Sequence, residues 1–155
     1  MTMTVTEAVT SRRSVRSFLD KPVDLETLTR VMDKARFAPS GCNFQPWEAS
    51  IVTGEPLRAL QQKMLAAPPQ DPPEYDWSAP NASSAHKARY LDVSERMYDA
   101  LGISRADKEA RRAFVSANIA SFGAPAVLFC YFPRLMGPPQ WSDVGMWLQT
   151  VMLLL

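Results

Sequence analysis

Pro39-Ser40-Gly41-Cys42-Asn43-Phe44-Gln45-Pro46-Trp47 lies between a segment of helical periodicity and a segment of strand character, and its reading decides the rest of the chain. Ser40, Asn43 and Gln45 supply donors and acceptors at irregular spacing, and Gly41 permits main-chain amides to approach a partner closely. Pro39 and Pro46 stiffen both ends, and Trp47 closes the stretch. Such a loop suits a planar polar ligand. Taken alone, the same Ser/Gly/Asn/Pro cluster is also an ordinary turn signal between two elements.

Working outward, Asp24 is a good N-cap for a helix over 25–37, where Leu25, Leu28, Val31, Met32 and Ala35 recur at helical spacing and form a core stripe. On the other side, residues 48–53 read as a strand, and Gly54-Glu55-Pro56 opens a helix with proline in its first turn and Leu57, Leu60 and Met64 on its buried side. Upstream, residues 5–10 form a short helix with Thr4 as cap, followed by Ser11-Arg12-Arg13-Ser14-Val15-Arg16-Ser17-Phe18. The arginines either complement the C-terminal dipole of that helix or grip a phosphate through paired N–H donors, with the Ser14 hydroxyl adding a contact.

The two stretches together resemble the FMN-dependent nitroreductase family. Arg12, Ser14, Arg16 and Phe18 match its RxSx(K/R)xF signature, and Ala38, Pro39, Ser40, Asn43, Gln45, Pro46 and Trp47 match its A-P-S-x-x-N-x-Q-P-W loop. The resemblance runs to Leu155, where the chain stops short of the family's usual end. It implies an α+β, three-layer fold with a central, mostly antiparallel sheet flanked by helices, assembled as a homodimer. It implies FMN as cofactor, NAD(P)H as reductant and a nitroaromatic or quinone-like acceptor reduced in a ping-pong cycle. Arg12 and Ser14 would then hold the phosphate, with Arg13 alongside, and Arg16 would approach the N1/O2 edge of the ring. Pro39, Ser40, Gly41, Asn43 and Gln45 would face the flavin across the dimer interface. Asn118, ahead of Phe122-Gly123-Ala124-Pro125, stands where relatives place an asparagine near the pyrimidine ring. The segment with which the family completes its phosphate grip and contacts flavin N5 lies beyond the matched residues.

Composition narrows the alternatives. A formal charge of +1 gives no broad basic field, so neither nucleic acid nor an anionic membrane is an expected partner. The basic face Arg105, Lys108, Arg111 and Arg112 is interleaved with Asp107 and Glu109 and reads as solvated and ion-paired. Two cysteines make no disulfide framework, and no signal-peptide pattern follows Met1, which points to a cytoplasmic location. With one histidine, His86, a histidine-rich metal site is excluded and no nucleophile triad is indicated.

The remainder reads as a single domain over 1–155, incomplete at its C-terminus, with a proline-rich surface loop over 67–80. Tyr75 and Trp77 either border a substrate entrance or anchor that loop. Helices are predicted over 83–101, with Gly102 as C-cap, from Ser104 to about Phe122, and over 141–155 with Ser142 as cap. A buried strand is predicted over 126–132. The competing reading, from a different functional class, is a shortened nitroreductase-like protein that dimerises or pairs with a homologue and binds no flavin.

Overall fold

The computed structural model describes residues 3–68, 72 and 82–155. Most of the proline-rich excursion, including Tyr75 and Trp77, lies outside the described residues. The chain forms two compact units, one comprising the residues up to Leu60 with Ser121–Leu155, the other Gln61–Ala120.

In the first unit, α1 (Val5–Ser11) begins at a reciprocal cap. The Glu7 amide donates to Thr4 Oγ1 at 3.2 Å and the Thr4 amide donates to Glu7 Oε2 at 2.7 Å. α2 (Leu25–Ala35) is capped by Asp24, whose Oδ1 accepts from the Thr27 amide at 2.6 Å. It ends two residues earlier than its periodicity predicts, and Leu25 is 74% exposed rather than core. Leu28, Val31 and Ala35 are buried.

β1 (Glu48–Thr53) and β2 (Ala126–Tyr131) pair antiparallel, with Ile51 opposite Leu128 and Ala49 opposite Cys130. Among the described residues the sheet has these two strands. α6 (Pro138–Leu154) starts three residues before its predicted position, because Pro138 occupies the first turn, where a missing N–H costs nothing. The Gly137 amide there donates to Gln140 Oε1 at 3.1 Å.

α2 and α6 pack together, and Val31, Ala35, Ala38, Trp147 and Val151 form the core, with Trp47, Leu128 and Cys130 against it. Alternation along β2 brings Leu128 and Cys130 to the same face. The loop at 39–45 is therefore clamped at both ends: Ala38 and Trp47 belong to this core and Pro46 is buried, while the residues between them reach solvent.

α3 (Gly54–Ala66) begins as predicted and buries Leu57, but Met64 is 40% exposed. In the second unit, α4 (Ser84–Ala100) is capped by Ser83, and Gly102 takes φ 66°, the left-handed conformation that ends a helix. α5 (Lys108–Ile119) is capped by Asp107 rather than Ser104, since the Ala110 amide donates to Asp107 Oδ1 at 2.9 Å. It stops before Phe122 because Ser121 and Phe122 turn to φ 55° and 52°. The basic face of α5 does not form the ion pairs expected of it among the described residues; Arg111 instead lies 3.9 Å over the Tyr98 ring.

Candidate functional site

Residues 40–45 fold as a tight turn. The Asn43 amide donates to the Ser40 carbonyl at 3.1 Å, the Phe44 amide to the Gly41 carbonyl at 3.1 Å, and the Gln45 amide to Ser40 Oγ at 3.0 Å. Gln45 Nε2 donates to Asn43 Oδ1 at 2.9 Å. Positive φ falls not at Gly41 but at Cys42 (51°), Asn43 (58°) and Gln45 (45°). Non-glycine residues in that region carry strain that the surroundings must impose, a feature concentrated at ligand-binding sites. Pro39, Ser40, Asn43 and Gln45, with Arg36 and Phe37 at the end of α2, line a polar groove of ≈ 510 Å³. Arg36, which the sequence did not single out, lies 5.1 Å from the Phe37 ring centroid.

Residues 12–18 of the basic stretch are exposed and lack helix or strand. Arg12 Nη1 donates to Ser14 Oγ at 3.4 Å and Arg16 Nη1 to the Ser14 carbonyl at 3.2 Å. Neither has a carboxylate partner among the described residues. Arg13 differs: its Nη1 reaches the carbonyls of Thr10, Ser11 and Arg12 at 2.9–3.0 Å, closing the C-terminus of α1. At the far end of the stretch the Phe18 amide donates to the Phe122 carbonyl at 3.3 Å, so the Phe122-Gly123 turn anchors it. Val15, Ser17 and Phe18 also line an almost wholly apolar cavity of ≈ 620 Å³ with Ile51, Leu128 and Val151. The basic stretch and the 39–45 loop thus border different cavities. Asn118 is exposed on α5, in the second unit.

Asp143 is a residue that sequence reasoning missed. It is 5% exposed on α6, and its Oδ1 accepts from the Gly41 amide at 3.2 Å. The signal available in the sequence was an acidic residue between core positions of an apolar helix. Cys42 is exposed and Cys130 half-buried, and burial pushes the Cys130 thiol pKa up. Among the described residues no group of His, Cys, Asp and Glu could hold a metal ion, and no helix is long and apolar enough to cross a membrane.

The fold these elements make is nitroreductase-like. It superimposes with a TM-score of 0.92 on the FMN and NADPH-dependent nitroreductase NfnB from sphigopyxis sp. strain HMH, at 44% identity over 99% of this chain and 70% of that one. The nitrobenzene nitroreductase of Ectopseudomonas oleovorans is 32% identical over 96% of this chain and 67% of its own length. The 4-nitrobenzoate reductase of Pseudomonas putida is 33% identical over 94% and 64% respectively. The nitroreductase family model matches residues 9–155, and the chain belongs to that family. It spans about two thirds of the length of these curated relatives.

Proposed function

We propose that the protein acts as an FMN-dependent oxidoreductase that uses NADPH to reduce nitroaromatic compounds. The observation that carries this reading is the clamped, left-handed turn at 40–45, which holds Ser40, Asn43 and Gln45 at a polar groove in a chain of this family. The residues fit the cofactor's chemistry. Arg12 and Arg16 carry exposed guanidinium groups with no carboxylate partner among the described residues, and the loop supplies neutral donors and acceptors. When bound, FMN supplies the two-electron chemistry between reductant and acceptor.

In this reading Arg12 and the Ser14 hydroxyl grip the phosphate, and Arg13 organises the preceding helix end beside them. Arg16 would supply positive charge to the ring edge, which favours its acceptance of electrons. Pro39, Ser40, Gly41, Asn43 and Gln45 would face the ring from the second subunit of a homodimer. NADPH and then the acceptor, a nitroaromatic or a quinone, would bind in turn at the same site, as a ping-pong cycle requires. The cycle asks for no protein nucleophile.

The test is NADPH oxidation by the purified chain supplied with FMN, with and without 4-nitrobenzoate. Acceptor-dependent oxidation, with parallel lines in a double-reciprocal plot at varied acceptor, is the expected result. A folded chain that consumes no NADPH under any of these conditions overturns the reading in favour of a non-catalytic, nitroreductase-like interaction protein.

A further inference from the structure

Asp143 sits on α6 beside the core residues Val144 and Trp147. Its Oδ1 reaches across 102 positions of sequence to the Gly41 amide, whereas its Oδ2 is buried with no hydrogen-bond partner among the described residues. That second oxygen faces Gly41, where a Cβ would lie 3.8 Å from it. A carboxylate taken from water and left half-satisfied is a poor device for stability, and an apolar side chain of similar size would serve the core better. Conflicts of this kind between local chemistry and folding are expected where function requires them.

Gly41 opens the strained turn at Gly41–Asn43, and the next residue, Cys42, is the first with positive φ. We propose that Asp143 is the positioning residue of the ligand loop: by holding the Gly41 amide from the core side it sets the turn that presents Asn43 and Gln45. The effect on flavin affinity rests on the function proposed above, whereas the effect on the turn does not.

Asp143→Leu removes the acceptor and keeps the branched shape of the side chain; Asp143→Asn keeps both the size and a carbonyl acceptor. Three quantities are compared for both variants and the wild type: amide hydrogen exchange at Gly41, Cys42 and Asn43 without ligand, FMN affinity by flavin fluorescence, and Tm. For Asp143→Leu, exchange at Gly41 is expected to be about tenfold faster or more and FMN affinity weaker by about tenfold, the scale of one hydrogen bond to a charged acceptor. Its Tm is expected at or above the wild-type value, while Asp143→Asn stays within about threefold of wild type in exchange and affinity.

A Leu variant with wild-type exchange at Gly41 overturns the proposal. So does an Asp143→Asn variant, matched in size, that melts well below wild type, because the carboxylate would then be a stabilising core contact. If the wild type takes up no FMN, the proposed function fails, and the exchange comparison alone still decides the role of Asp143.

Discussion

Trp47, which closes the 39–47 loop, stacks on Trp147 of α6 with ring centroids 5.9 Å apart and planes 10° from parallel. The contact ties the end of the loop to the centre of the core. Trp147 is 3% exposed, whereas Trp47 is only partly buried. Trp147→Ala is therefore expected to cost about 3–5 kcal/mol in urea unfolding. Trp47→Ala should cost less and act chiefly on the loop. Equal losses for the two would show that the stacking pair, rather than burial, dominates.

Arg12 touches the rest of the chain through an exposed contact with Ser14. Arg12→Ala should accordingly leave stability within about 0.5 kcal/mol of wild type. Binding separates its roles: FMN affinity should fall by about tenfold or more with the loss of a charge-assisted hydrogen bond, while riboflavin, which lacks the phosphate, should bind as before. A loss of both would place Arg12 at the ring rather than the phosphate.

The two cysteines report on two environments. Cys42 lies exposed in the strained turn, and burial raises the pKa of Cys130. A thiol reagent should consume one cysteine per chain quickly and the second slowly, since the thiolate is the reactive form. Cys42→Ser should remove the fast phase. Bound FMN should slow it, through the same turn.

Asp24 makes the acid limb of stability predictable. Hydrogen bonds from the Thr27 amide, and then from its hydroxyl, hold the Asp24 carboxyl below its ordinary range in the folded chain. Its contribution is present above the unfolded aspartate value of about 3.9 and is lost as the pH falls below that through the depressed folded value. Glu7, lowered by the Thr4 amide and hydroxyl, acts in the same direction. Asp24→Asn keeps a capping acceptor without the charge. Its urea midpoint should therefore fall less than the wild type's on acidification.

Much of this was legible in local chemistry. Thr4 and Asp24 were readable as caps because a cap is decided within four residues, and β1 because its pattern is bounded by Pro46-Trp47 and Gly54. Leu25 fits the core stripe by periodicity yet is exposed, because periodicity does not show where a neighbouring element ends. α6 starts ahead of its predicted position because Pro138 and Pro139 fit a first helical turn, a place that proline in sequence does not distinguish from a loop. At the site, the loop's residue types were readable, but the backbone that carries the strain was not. The Gly41–Asp143 bond joins positions that only the packing of α6 beside the loop brings together.

The most direct measurement is a visible absorption spectrum of the full chain after incubation with FMN and gel filtration. The proposed function predicts a flavin spectrum that co-elutes with the protein, bleaches on anaerobic addition of NADPH and returns with 4-nitrobenzoate. Free flavin eluting separately from a folded protein would contradict it.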